Sequence, residues 1–218
     1  MDGDAPAGPD DASGSGADPD PASVLTADPV MADLHERYGP VDLEAAVSDD
    51  EFERIVVSVV NQSVSTESAN AVRERLWTVL DGEVTPDTVR AADDDALREA
   101  GLSAGKVEYL GHIADAFDER DYSRAGLSGH DDAAVVDLLT EIRGVGEWTA
   151  RMYLLFALGR EDVLPLGDLA VRRAIEELYG ADSRAEMHEV GAEWAPYRSH
   201  ATVLLWRWYE DDERAPLS

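Results

Sequence analysis

The chain has 218 residues, 47 acids against 18 bases, a formal net charge of −29 and no cysteine. The missing cysteine excludes disulfides, Cys-ligated zinc and iron–sulfur clusters, and no run of about 18 apolar residues offers a membrane span. Only one base is a lysine, Lys106, and an Asp-rich, Lys-poor, Cys-free composition points to adaptation to molar salt, where screening removes the surface's self-repulsion.

Residues 1–23 hold six acids and no base in a Gly, Pro, Ser and Asp background. They read as a disordered acidic tail and lack the basic-then-apolar order of a signal peptide. Residues 24–218 read as one helical domain. In "DPVMADLHERYG", Asp28 is an N-cap, Pro29 the first helical residue and Gly39 the stop. "SDDEFERIVVSVV" opens on a capping box of Ser48 and Glu51. "STESANAVRERLWTVLDG" ends at Gly82, "TPDTVRAA" starts at Thr85 and Pro86, "DDALREAG" ends at Gly101, and "SAGKVEYLGHIADAF" starts from Ser103. "DAAVVDLLTEI", "EWTARMYLLFAL", "DLAVRRAIEELYG", "SRAEMHEVGAEWA" and "PYRSHATVLLWRWYEDD" continue the helical spacing. No strand-like alternation competes with it. The expected fold is all-α, a compact bundle of about ten helices.

The most tightly specified stretch is "EIRGVGEWTAR", residues 141–151. Gly144 and Gly146 bracket Val145 between two amphipathic helices. Glycine permits positive φ and lets backbone come close to a ligand. The second helix starts near Glu147, so its free N–H groups and positive dipole end face the turn, which suits one phosphate. An ordinary αα-turn accounts for the glycines equally well. Residues 143–173 hold four acids and five bases, the least negative part of the chain and the place where an anion can approach. Further on, Asp168 follows Pro165 and Gly167 at a helix mouth. By itself it reads as an N-cap.

Taken together, four segments closely resemble the helix-hairpin-helix (HhH-GPD) DNA glycosylases, in the DNA-3-methyladenine glycosylase II branch. They are "FERIVVSVVNQSVSTESANAV", "GLSAGKVEYL", "GVGEWTARMYLLFALGREDVLPLGDLAVRRA" and "WAPYRSHATVLLWRWY". The resemblance spans residues 24–213. It implies an enzyme of base excision repair that flips an alkylated, 3-methyladenine-type purine out of duplex DNA. The enzyme hydrolyses the N-glycosidic bond and leaves an abasic site. Asp168 would be the catalytic carboxylate, stabilising the cationic sugar and orienting water. Trp206, Trp148 and Met152 would line the base pocket, where a cationic base stacks on aromatic faces. Tyr153, Trp208 and Tyr209 rank behind them. Gln62, Ser63, Gly144, Val145, Gly146 and Glu147 would meet DNA. At "NQSVS" the family places a wedge. Ser63 is too small for one, so either Gln62 fills the gap or the plug is weak.

Members that also cut the DNA backbone carry a lysine where this chain has Trp148, so the resemblance implies base removal without lyase chemistry. The family's hairpin holds a monovalent cation, K⁺ or Na⁺, through carbonyls that correspond to Thr140, Ile142 and Val145. No cofactor is otherwise required. The expected partner is duplex DNA bearing a damaged base, with no membrane contact. A monomer in the cytoplasm is expected, in the compact form without the β-rich N-terminal domain of longer members. Two alternatives remain: a non-catalytic helix-hairpin-helix module, and an oxidised-guanine glycosylase of the same superfamily. The five histidines have no metal-ligand spacing.

Overall fold

The computed structural model describes residues 19–214. Twelve α-helices and one 3-10 turn make up its regular structure, and no strand occurs among the described residues. The helices are α1 (Pro21–Leu25), α2 (Pro29–Tyr38), α3 (Glu51–Asn61), α4 (Thr66–Val79), α5 (Pro86–Ala91), α6 (Asp94–Glu99), α7 (Ala104–Glu119), α8 (Asp132–Thr140), α9 (Glu147–Phe156), α10 (Leu169–Tyr179), α11 (Arg184–Ala192) and α12 (Arg198–Glu210). The 3-10 turn, Glu44–Ala46, lies between α2 and α3.

Local chemistry accounts for nearly every start. Asp28, Thr85 and Ser103 cap α2, α5 and α7 through side-chain oxygens that accept backbone N–H groups, and Pro29 and Pro86 occupy first turns where no N–H is needed. Gly39, Gly82 and Gly101 take positive φ where helices stop. Two expectations change. The cap of α3 is Asp50, which accepts from Glu53 N at 2.8 Å, while the Ser48 hydroxyl bonds to Asp50 backbone groups, Ser48 N donates to Phe156 O, and the Glu51 carboxylate accepts from Arg124 N. The last residues assigned to the tail are ordered instead: Pro21–Leu25 is helical, capped by Asp20, with Leu25 buried, while residues 1–18 lie outside the described ones.

Two apolar clusters form. The first joins α3 to α9, around Ile55, Val56, Leu76, Leu110, Leu139 and Tyr153. The second joins α1 and α2 to α10, α11 and α12, around Leu34, Val171, Ile175, Trp194 and Leu205. The N-terminal helices therefore complete a core built by the C-terminal ones, and α2 packs on α12. Trp206 packs against both clusters. No helix among the described residues is long and apolar enough to cross a membrane.

Candidate active site

A cleft of about 370 Å³ opens between α3, α4 and α9 on one side and α10 and α12 on the other. Three of its wall residues, Trp148, Met152 and Phe156, recur every four positions along α9 and so share one face of that helix. Trp206 and Glu210 do the same on α12, and Arg54 and Asn61 stand two turns apart on α3. Two larger clefts, about 640 and 460 Å³, lie away from Asp168.

Asp168 is the N-cap of α10 and reaches into this cleft. Its Oδ1 accepts from Val171 N at 3.1 Å and from the Trp206 indole at 3.2 Å, and its Oδ2 accepts from the Trp148 indole at 2.9 Å. Two tryptophans on different helices thus fix both carboxylate oxygens. The loop before it is braced as well: Arg172 donates to the carbonyls of Leu166 and Gly167, and Arg184 donates to Leu166 O. A Cβ at Gly167 would sit 3.3 Å from Trp148 Cβ, so glycine lets the indole lie against this loop.

The cleft has a layered aromatic wall. Phe156 stacks on Trp206 with centroids 5.5 Å apart, and the Arg54 guanidinium lies 4.3 Å over the Phe156 ring. Burial, helped by Arg73, holds the Arg54 guanidinium down to about 10 from its usual range. Met152 is buried behind this wall. Tyr153 and Trp208 are core residues, and Tyr153 donates to Tyr122 O.

The α8–α9 hairpin stands beside the cleft. Gly144 has φ 98°, and a Cβ there would clash with Tyr109, 2.2 Å from its Cγ. Gly146 is different: it has φ −93°, and a Cβ would meet nothing within 4 Å. Ten of the twelve helices have a side-chain cap among the described residues, and α9 does not. The other uncapped helix, α12, has Ser199 N bonded to Glu161 O in its first turn. Glu147, at the start of α9, spends its carboxylate on Arg151.

Gln62 does not project as a free wedge. Its Nε2 donates to Gly144 O and to Thr149 Oγ1, both at 3.0 Å, and so ties the end of α3 to the hairpin. The following loop is set by Ser63, at φ 58°, which is a strained backbone for serine. It leaves Val64, at the cleft, as one of two exposed large apolar side chains among the described residues; the other is Leu169, next to Asp168. The lysine of the chain is spent on the same junction, since Lys106 Nζ donates to Val60 O and Gln62 O at 2.8 Å each. Spacing could have revealed Phe156, which continues the Trp148–Met152 stripe. Arg54, Asn61, Asn70, Val64 and Glu210 carried no such signal.

Around the hairpin, Ile142 O accepts from Val145 N at 3.0 Å. Thr140 turns its hydroxyl back to Val136 O and Asp137 O. Among the described residues no cluster of three His, Asp or Glu side chains is arranged to hold a metal ion.

The HhH-GPD superfamily of base excision DNA repair proteins matches residues 56–196, from α3 to beyond α11. The chain belongs to that superfamily. Similar HhH-GPD proteins include DNA-3-methyladenine glycosylase 1 of Schizosaccharomyces pombe, 30% identical over 72% of this chain and 71% of that protein. A solved structure of a DNA-3-methyladenine glycosidase from Bacillus halodurans superposes with a TM-score of 0.74 at 31% identity, covering 88% of this chain and 90% of that one. The S. pombe 3-methyladenine DNA glycosylase Mag1 in complex with abasic DNA superposes at 0.78, with 25% identity over 88% and 97% of the two chains. The twelve-helix arrangement is therefore the HhH-GPD glycosylase fold, and the hairpin of residues 141–147 is its helix-hairpin-helix.

Proposed function

We propose that this protein is a monofunctional DNA glycosylase that removes alkylated, 3-methyladenine-type purines from duplex DNA. The observation that carries the reading is the Asp168 carboxylate, held by the indoles of Trp148 and Trp206 at the wall of a 370 Å³ cleft. A carboxylate fixed in advance stabilises the positive charge that develops on the sugar as the glycosidic bond breaks, and it orients the water that attacks. An N-alkylated purine already carries positive charge and leaves readily, so no separate general acid is needed. The flipped base enters the cleft against the Phe156–Trp206 wall, with Met152 behind it.

The hairpin supplies the grip on DNA. The N-terminus of α9 has no side-chain cap and no Cβ at Gly146, and both features suit a phosphate that takes the free N–H groups. The carbonyls of Thr140, Ile142 and Val145 lie at and just beyond the C-terminal end of α8, where orphan oxygens and the negative dipole end suit an alkali cation. K⁺ or Na⁺ held there would add positive charge beside that phosphate. Val64 is the wedge we assign to the space vacated by the base, because Gln62 is spent on the hairpin.

Lyase chemistry needs an amine in the cleft. Trp148 stands there, and the Nζ of Lys106 is bound to two carbonyls at the end of α3. The same absence weighs against the oxidised-guanine lyase reading, and the clamped Asp168 weighs against a mere binding module. The test is base release from methylated duplex DNA with borohydride added. Free methylated purine with no protein–DNA adduct supports the reading. A trapped adduct refutes the monofunctional part, and DNA binding without base release refutes catalysis.

A further inference from the structure

Arg54 is not needed by any step above. It enters the cleft from α3 with a buried Nε that has no hydrogen-bond partner, and it makes no ion pair among the described residues. Arg54 is half-buried, and a guanidinium with a buried, unpaired N–H is ordinarily matched to a carboxylate. Here the guanidinium carbon stands 4.3 Å over the Phe156 ring, and Phe156 is stacked on Trp206. The arginine therefore lines the same cleft as the aromatic wall on which a flipped base would lie.

A guanidinium donates from five N–H groups and accepts at none. Its natural partner in a purine is an acceptor at ring position 6: O6 of a guanine-type base accepts, alone where N7 is alkylated and together with N7 where it is not. An amino group at the same ring position donates, so two donors would face each other. Among the other polar groups of the cleft, Asn61 and Asn70 both donate and accept, and Asp168 is occupied by its two indoles and Val171 N. Glu210 accepts only, but it is exposed at the end of α12.

We propose that Arg54 is a specificity-determining residue of this pocket: its guanidinium donates to the carbonyl of a 6-oxo purine and so favours alkylated guanines and deaminated adenine over 6-amino purines. The proposal rests on reading the cleft as the base pocket. It does not bar 3-methyladenine; it sets the ratio at which the two classes are released. A purely structural role, bracing Phe156 against Trp206, would instead scale both classes together.

The experiment measures single-turnover release of 7-methylguanine and 3-methyladenine from one methylated duplex, and of hypoxanthine from a defined duplex. Wild type is compared with Arg54→Met, which keeps an apolar stem over Phe156, and with Arg54→Lys, which restores a donor; melting curves control for the fold. Arg54→Met should lower the ratio of 6-oxo to 6-amino release by about 10-fold, the scale of one hydrogen bond from a charged donor, and Arg54→Lys should recover part of it. A ratio that Arg54→Met leaves unchanged overturns the proposal, whatever happens to the absolute rates. Wild-type protein that binds the duplex but releases no base overturns the pocket reading and this proposal together.

Discussion

The Trp148 indole donates to Asp168 Oδ2 at 2.9 Å, so this tryptophan meets the carboxylate with its edge and lies against Gly167 with its body. In the function proposed above, its part is to hold Asp168, and stacking on a base falls to the Phe156–Trp206 wall. Trp148→Phe keeps most of the ring but removes the donor. A hydrogen bond to a charged group contributes about 1.5–3 kcal/mol, so single-turnover excision should fall by about 10–100-fold. The same lost bond should also lower stability by about 1.5–3 kcal/mol, so excision is read at a temperature where melting shows the variant folded. Unchanged excision would show that the clamp has no catalytic use.

The two hairpin glycines separate fold from DNA contact. Gly144→Ala drives a methyl to 2.2 Å from Tyr109 Cγ at φ 98°, and a strained backbone alone costs about 1–3 kcal/mol. Its melting temperature should drop clearly. Gly146→Ala adds a methyl to open space at φ −93°, so stability should stay within about 0.5 kcal/mol. Its affinity for abasic duplex should nevertheless fall, because the methyl stands where a phosphate would approach the α9 N–H groups. Equal DNA affinity of Gly146→Ala and wild type would remove the phosphate from this turn.

Net charge gives a third expectation. At −29 the protein repels itself and DNA, and the Debye length shrinks from about 10 Å at 0.1 M salt to about 3 Å at 1 M. The melting temperature should therefore rise with KCl. DNA affinity should show a weaker salt-dependent loss than the usual counterion-release slope, measured by titration across the same KCl range. A melting temperature indifferent to KCl, with a steep loss of affinity from low salt upward, would contradict adaptation to salt.

What the sequence made legible was the local chemistry. Asp28, Thr85 and Ser103 were readable as caps because each places an oxygen next to its own helix. The α3 cap was not, because Ser48, Asp49 and Asp50 are adjacent candidates and only geometry shows that Asp50 reaches Glu53 N. The five-residue α1 was hidden by its Pro- and Asp-rich surroundings; burial of Leu25 in a core made mostly by α10–α12 holds it. Gln62 could not be placed from its neighbours, since its partners Gly144 and Thr149 are 82 and 87 residues away. The family resemblance named Trp148 and Trp206 as pocket candidates, but which edge of an indole faces a carboxylate is a property of helix packing.

Asp28 supplies the control for the central claim. It too caps a helix and accepts from two aromatic side chains: Oδ1 accepts from Val30 N, and Oδ2 accepts from Tyr179 OH at 2.9 Å and the Trp194 indole at 3.0 Å. It lies outside the cleft that Asp168 enters. Asparagine keeps one accepting oxygen and turns an amide donor toward an aromatic donor, so Asp28→Asn and Asp168→Asn should each lose stability on the scale of about 1–3 kcal/mol. The deciding measurement is single-turnover excision of a methylated purine by both variants, at a temperature where melting shows both folded. Asp28→Asn should excise at close to the wild-type rate. Asp168→Asn should bind abasic duplex as wild type does yet lose about 10²–10³ in rate or more. Excision by Asp168→Asn matching that of Asp28→Asn would contradict the account, and Asp168 would then be a helix cap and nothing more.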